Sequence, residues 1–346
     1  MHGPAVSMYV PEVGRRVVTG VALVALASGI LLFSDRRQRT SNAGSGASEA
    51  GRIFRIGIVY FAPEEGADLC IQGLIDGLAA EGFVQGRNLV INRAHAQAEI
   101  SNIPAMLQNF DAQGLDLIVP LTTPCLGAAC TLVRKTPVVF TYVYDPMAAG
   151  AGKSWTDHLP HITGVASFPE LDETFTVIRR LVPGVRAVGT LYNSSEANSR
   201  KVVSVGRQAS ARMGLRLEEV AITGTGEVFQ GAQALAMRDI QAIWICGDNT
   251  ALQAFSAIAK VALDHKLPLI INDPEFVSKG ALIAIGIGWH KSGYEAGKVA
   301  SRVLRGESPA RIPMANVAER KIVLNDEVAR RLGISFPEDL RQSASE

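Results

Sequence analysis

Apolar segments and mixed polar segments alternate along the chain from residue 53 onward, and this alternation predicts strands separated by helices. The apolar runs IFRIGIVYF, LDLIVPL and TPVVFTYVY are typical of buried strands. The segment ADLCIQGLIDGLAAEGF places Leu74, Leu78 and Phe83 near one face of a helix. Further strands and helices follow in the same order. The run VRAVGTLYN predicts a strand, and helices are predicted around residues 103–112 and over residues 250–265 and 290–304. Strands that alternate with helices form right-handed βαβ units, so the pattern predicts parallel sheets.

The pattern yields about ten strands, which is many for a single sheet and favours two sheets. We therefore predict an α/β fold of two Rossmann-like lobes with parallel sheets, joined by hinge strands. The segment HITGVASF, before Pro169, is the predicted first crossover, and IAIGIGW is the predicted return. The predicted lobe 1 spans residues 52–165 and 286–310, lobe 2 spans 166–285 and 311–340, and residues 341–346 form a tail.

Residues 17–33 form an apolar run without a charged residue, VVTGVALVALASGILLF, with arginines on both sides. A helix of this length spans roughly 25 Å, the short end of a bilayer crossing. One interpretation is a signal peptide cleaved after Ala27. An uncleaved transmembrane signal-anchor is favoured, because cleavage there would leave the apolar residues up to Phe33 exposed. Residues 1–16 are then a cytoplasmic segment or n-region, and residues 34–51 are a flexible tether.

Short polar side chains follow several predicted strands, at the carboxyl ends where parallel sheets bind ligands. Free helix N–H groups at residues 123–125 would suit a carboxylate, and Asp248 or Glu196 would suit an ammonium group. Together they predict a zwitterionic ligand such as an amino acid. Alternatively, Thr123 and Asp248 are ordinary helix N-caps. The strand-end residues are Thr122, Thr123, Tyr144, Asp145, Ser194, Glu196, Asn198, Asp248, Asn249 and Asn272.

Composition and motifs argue against nucleic-acid, nucleotide, metal and catalytic sites. The formal net charge is +1 and aromatic residues make up 6%, which indicates neither a basic surface nor a base-stacking platform. The chain has no dinucleotide or P-loop glycine motif. Pro160 separates His158 from His161 and breaks the helix that would align them on a metal. The four cysteines are expected to be buried free thiols, although a disulfide between Cys125 and Cys130 stays open. We predict no enzyme, no cofactor and no metal.

Several motifs resemble those of the ABC-transporter substrate-binding family that includes tryptophan-binding solute receptors. They are YDPMAAGAGKS, VGTLYNSSEANS, ICGDNT and SGYEAGKVASRVLRGESPARIP, within a likeness that runs from Arg55 to Leu340. The resemblance implies a type I periplasmic-binding-protein fold without enzymatic activity.

The resemblance also implies a set of ligand contacts in both lobes. By motif, Thr122, Thr123 and Cys125 form a loop on the side of the ligand's carboxylate. Asp248 and Asn249 lie near its amino group, and Phe61 and Trp289 enclose an apolar side chain. The second lobe contributes Ser194, Glu196, Asn198 and Ser199.

Two functions fit these expectations. The first is a membrane-tethered solute receptor of an ABC importer, which binds an amino-acid-like ligand, closes at the hinge and docks on a permease. The alternative is a ligand-sensing input module acting on a membrane signalling partner. Both place the chain at the bacterial inner membrane, with its soluble part in the periplasm or on the outer face. After signal cleavage, the chain would instead be free in the periplasm.

Overall fold

The computed structural model describes residues 51–317 and 320–344, and Ile53–Glu346 form one compact unit. Strands alternate with helices along this unit, as the hydrophobic pattern predicts. The strands are β1 (Phe54–Tyr60), β2 (Leu89–His95), β3 (Leu117–Pro120), β4 (Val138–Val143), β5 (Ile162–Ala166), β6 (Ala187–Asn193), β7 (Arg216–Ile222), β8 (Ala242–Ile245), β9 (Leu269–Ile271), β10 (Ile283–Ile287), β11 (Ala315–Asn316) and β12 (Arg320–Leu324). The α-helices are α1 (Glu65–Ala80), α2 (Ile103–Ala112), α3 (Thr123–Leu132), α4 (Leu171–Leu181), α5 (Ala197–Arg212), α6 (Val228–Ala236), α7 (Asn249–Gln253), α8 (Phe255–Asp264), α9 (Trp289–Leu304), α10 (Asp326–Leu332) and α11 (Glu338–Ser343).

The strands form two six-stranded sheets, one in each lobe. The first has the order β11-β5-β4-β3-β1-β2 and is parallel throughout. The second has the order β12-β10-β9-β8-β6-β7, and its edge strand β12 runs antiparallel to β10. The predicted two-lobed α/β fold with parallel sheets is confirmed, and the antiparallel edge strand is an addition to it.

Among the described elements, the chain passes between the lobes after β5, after β10 and between β11 and β12. The sequence pattern assigned residues 311–340 to lobe 2, but β11 pairs with β5 in the first sheet. Contacts just before β11 explain the difference. Thr163 Oγ1 donates a hydrogen bond to Ile312 O at 2.8 Å, and Met314 is buried in the core of lobe 1. The last passage therefore falls after residue 316.

Helices α1 and α9 pack backbone to backbone on one face of the first sheet. Each helix carries two glycines four residues apart at the contact, Gly73 and Gly77 on α1 and Gly293 and Gly297 on α9. A methyl group at Gly293 would lie 1.9 Å from the carbonyl oxygen of Cys70. Because such an approach leaves no room for a side chain, the glycines fix how far α9 lies from α1.

The segment predicted as one helix over residues 250–265 is two helices, α7 and α8, which meet at Ala254. In the part of the chain that the structure describes, we find no helix with the length and apolarity of a membrane span. The predicted signal-anchor at residues 17–33 and nearly all of the predicted tether lie outside the described residues.

Candidate functional site

The carboxyl ends of both sheets face each other across a cleft between the lobes. Residues of both lobes line a space there, and a second space beside it shares Thr122 and Tyr142 with the first and is also lined by Phe61 and Glu64. The lining of the first space is Thr122, Thr123, Tyr142, Tyr144 and Trp289 from lobe 1, and Asn198, Gly247, Asn249, Leu252 and Asp273 from lobe 2.

Three aromatic rings from lobe 1 form one wall of the cleft. The Trp289 ring is stacked on Tyr144, with ring centroids 6.1 Å apart and an interplanar angle of 19°. It also meets Tyr142 at 4.2 Å and 57°. Trp289 begins α9, so the glycine contact with α1 sets its position. Tyr142 has a φ of 59°, a left-handed conformation that is strained for a bulky side chain and typical of functional sites. Its hydroxyl donates to Glu64 Oε1 at 2.6 Å.

Lobe 2 places a buried carboxylate opposite these rings. Asp273 follows β9 and is 1% exposed. Burial raises the pKa of its carboxyl well above the usual range, and the nearby carboxylates of Glu275 and Glu64 raise it further. Tyr144 donates a long hydrogen bond of 3.4 Å to Oδ2, and the Trp289 indole lies nearby. No ion pair to Asp273 exists among the described residues, so this carboxylate is suited to accept a cation from a ligand.

The start of α3 supplies hydrogen-bond donors on the lobe 1 side. Thr122 has a φ of 76°, and its buried Oγ1 has no hydrogen-bond partner in the described part of the chain. Thr123 begins α3 and lines the cleft, and Pro124 follows in the first turn. N–H groups and the dipole at such a helix start attract an anion. Cys125 is fully buried behind this turn and does not line the cleft; burial raises the pKa of its thiol to about 12.

The carboxylates of Asp248 and Glu196 form hydrogen bonds with other groups of lobe 2, near the carboxyl ends of its strands. Asp248 is fully buried and caps α7 by accepting from Ala251 N at 2.7 Å; it also accepts from Asn193 N at 2.5 Å. Burial and the neighbouring Glu196 raise the pKa of Asp248 to about 7. Glu196 accepts from the backbone N–H and the hydroxyl of Thr250 at 3.1 and 2.7 Å. Neither carboxylate lines the cleft, whereas Asp273 does.

The other predicted residues divide between the cleft and the framework around it. Thr122, Thr123, Tyr144, Asn198, Asn249 and Trp289 line the first space, and Phe61 lines the second. Asn272 is buried in lobe 2, where its Oδ1 accepts from Trp244 Nε1 at 2.7 Å. Asp145 forms an ion pair at 3.4 Å with Lys201 of lobe 2, Ser199 is buried on α5, and Ser194 is exposed.

Sequence reasoning missed Tyr142, Glu64 and the role of Asp273. Tyr142 lies in β4 and Tyr144 directly follows the strand; in an extended chain this two-residue spacing puts both side chains on one face, so it could have indicated an aromatic wall. In the sequence, Asp273 belongs to the polar strand end LIINDPE, but an ordinary Asp-Pro turn explains it equally well. Glu64 precedes α1 and caps it by accepting from Gly66 N and Ala67 N, which from sequence alone looks like an ordinary N-cap. The described residues hold no group of three His, Cys, Asp or Glu side chains that could bind a metal ion.

Comparison with known proteins identifies the family. The model for ABC transporter substrate-binding proteins matches residues 55–346. The chain belongs to this family. Members of the ABC transporter substrate-binding family are solute receptors, so the protein is a receptor rather than an enzyme. The type I periplasmic-binding-protein fold expected from the motifs is confirmed, since distant solved structures share it.

Three relatives of this substrate-binding protein bear most on its site. The chain is 28% identical over 316 residues to a tyrosine-binding protein of Clostridioides difficile, covering 90% of this chain and 91% of the relative. It is 28% identical to a Streptococcus pneumonia ABC domain solved in complex with L-Trp, covering 85% and 99% of the two chains with a TM-score of 0.81. A ligand-free, open substrate-binding protein with adhesive properties from Clostridium difficile is also 28% identical, covers 85% and 98%, and gives a TM-score of 0.66.

Proposed function

We propose that this substrate-binding protein is a receptor for an aromatic amino acid, which it binds between its lobes. The observation that carries the proposal is the pairing of a buried carboxylate with an aromatic wall: Asp273 lines the same space as Tyr142, Tyr144 and Trp289. A carboxylate this deeply buried is stabilised by a cationic partner, and flat apolar rings stack on another ring. An α-ammonium group next to an aromatic side chain matches both requirements.

The third part of the ligand, its carboxylate, is assigned to lobe 1. Thr122 Oγ1 and Trp289 Nε1 are buried in the cleft lining without a well-aligned hydrogen bond among the described residues; Trp289 lies close to Asp273, and Thr122 close to the Cys125 thiol. Both groups donate hydrogen bonds, and the start of α3 adds the favourable end of a helix dipole. With the ligand's carboxylate bound there and its ammonium group bound to Asp273 of lobe 2, both charges of an amino acid are neutralised. The names of the tyrosine-binding and L-Trp-bound relatives support this class of ligand.

Ligand binding closes the lobes in this proposal. Contacts already join them: Asp145 of lobe 1 pairs with Lys201 of lobe 2, and the Tyr144 ring covers Gly247. The TM-score is higher with the L-Trp complex, 0.81, than with the ligand-free open relative, 0.66, which supports a closed arrangement of the lobes. A ligand that needs groups from both lobes binds this arrangement better and shifts the population toward it. Small-angle scattering should therefore show a smaller radius of gyration when ligand is added.

We further propose that the receptor delivers its ligand to an ABC permease and is held at the membrane by residues 17–33. Family membership supports the permease, and the uncharged apolar run supports the anchor. The anchored protein would remain in the membrane fraction after lysis. N-terminal sequencing that finds Ser28 as the first residue would instead indicate a cleaved signal peptide.

Isothermal titration calorimetry of the purified chain tests the ligand class. L-tryptophan, L-tyrosine and L-phenylalanine are compared with L-leucine, L-lysine and L-glutamate. We expect at least one aromatic amino acid to bind at least tenfold more tightly than any of the other three. Equal or tighter binding of a non-aromatic amino acid would contradict the proposal.

A further inference from the structure

The side-chain amide of Asn198 is held in one orientation by the hydrogen bonds of its Nδ2. Its Nδ2 donates to Gly247 O at 2.8 Å and to Glu196 Oε2 and Ser199 Oγ at 3.3 Å each. Rotating the amide by 180° would place an oxygen against acceptors, so these contacts fix the position of Oδ1. Asn198 is 3% exposed and lines the cleft, and Oδ1 has no donor among the described residues. A buried acceptor without a donor is unfavourable, and a ligand that supplies one gains affinity.

Asn198 and Asp273 lie at separate positions along the edge of the second sheet. Asp273 follows β9, whereas Asn198 lies in the first turn of α5, the helix after β6, and β8 runs between β9 and β6. The ends of β9 and β6 are two strand spacings, or about 10 Å, apart. Tyr144 and Gly247 occupy the interval, because Tyr144 contacts Asp273 through its hydroxyl and covers Gly247 with its ring. An ammonium group bound to Asp273 therefore leaves Asn198 Oδ1 to another part of the ligand.

We propose that Asn198 is a specificity-determining residue whose Oδ1 accepts a hydrogen bond from an N–H or O–H on the ligand's aromatic ring. The receptor then favours tryptophan and tyrosine over phenylalanine. The inference rests on the proposed function, since it takes the ammonium to Asp273 and the carboxylate to lobe 1. Trp289 and Thr122 can donate to that carboxylate, whereas Asn198 Oδ1 can only accept. Asn198 Oδ1 is therefore not needed to bind the ligand's ammonium or carboxylate group.

Ligand pairs that differ only in the ring donor test this inference by calorimetry on the purified chain. L-tyrosine is compared with L-phenylalanine, and L-tryptophan with benzothienylalanine, in which sulfur replaces the indole N–H. We expect the analogue without the donor to bind at least tenfold more weakly in one or both pairs. Affinities within twofold in both pairs would overturn the role of Asn198 and leave the proposed function intact. Failure of every aromatic ligand to bind would overturn both.

The variant Asn198→Leu links any discrimination to this residue. Leucine is similar in size and cannot accept a hydrogen bond, so the preference for the donor-bearing ligand should fall to within about twofold. Asn109→Leu, on the exposed face of α2, is the matched control and should keep the preference. A preference that survives in a folded Asn198→Leu chain would overturn the inference. If that variant does not fold, the ligand pairs on the unmodified chain decide the question.

Discussion

Replacing Asp273 with asparagine should abolish tight binding of the ligand while leaving the shape of the cleft intact. Asparagine matches aspartate in size, and Tyr144 can still donate to its amide oxygen. The substitution removes the negative charge that, in the proposed function, neutralises the ligand's ammonium group. Removing one partner of a desolvated ion pair costs roughly 2–5 kcal/mol, and Asp273 is 1% exposed. Because about 1.4 kcal/mol corresponds to a factor of ten, affinity for L-tryptophan or L-tyrosine should fall by between about thirtyfold and several thousandfold.

The same substitution should stabilise the protein without ligand, and the gain should depend on pH. Burial and neighbouring carboxylates raise the pKa of folded Asp273, whereas in the unfolded chain its pKa is about 3.9. The wild-type chain is therefore progressively destabilised as the pH rises from about 4 toward the folded pKa. The asparagine side chain of the Asp273→Asn variant does not titrate, so the stability of this variant does not fall for that reason as the pH rises. Its melting temperature should exceed that of the wild type at pH 7.5, and the difference should shrink toward pH 4.

Calorimetry and thermal melts of the two chains check both effects. Asp157→Asn, at an exposed position of lobe 1, is the matched control and should change neither affinity nor melting temperature. The reasoning is refuted if Asp273→Asn binds L-tryptophan within threefold of the wild type. A lower melting temperature of ligand-free Asp273→Asn at pH 7.5 would show that the charge stabilises the fold instead.

Three further outcomes follow from the packing. Gly293→Ala should lower the free energy of unfolding, measured in urea, by roughly 1–3 kcal/mol or more, because the added methyl group would collide with Cys70 O. The control Gly226→Ala has open space around it and should have little effect, so equal losses in the two variants would contradict the packing of α1 against α9. Asp248→Ala should lower the free energy of unfolding by about 1–2 kcal/mol because a helix cap is lost, while affinity for the ligand stays nearly unchanged. Tenfold weaker binding at unchanged stability would show instead that Asp248 binds the ligand's ammonium group. The Cys125 thiol, whose pKa burial raises to about 12, should resist iodoacetamide at pH 8 until urea unfolds the chain, and rapid labelling of the native chain would contradict its burial.

The hydrophobic pattern was sufficient to predict most of the fold. The helix over Ile103–Ala112 and the strands at Phe54–Tyr60 and Ala187–Asn193 lie within a residue or two of their predicted positions. The hydrophobic period of a long segment indicates which face of the helix or strand is buried, and strands that alternate with helices predict parallel pairing. The two-residue strand β11 carries no such periodicity, because its place depends on contacts with distant residues of lobe 1.

The chain itself determined that polar groups would collect at the carboxyl ends of parallel strands. Thr122, Thr123, Asn198 and Asn249 line the cleft for that reason. The structure alone decided which carboxylate lines the cleft. A side chain after a strand can point into the cleft or bond to the N–H groups of the following helix, and the local sequence is similar in both cases.

Asp248 and Asp273 show the two results side by side. Asp248 turns back to cap α7 and bonds to the backbone of the neighbouring strand, so its charge is used within lobe 2. Asp273 faces Tyr144 and Trp289 of the other lobe, without an ion pair in the described part of the chain. Only the meeting of two lobes, built from segments far apart in sequence, buries this carboxylate among rings and leaves its charge for a ligand.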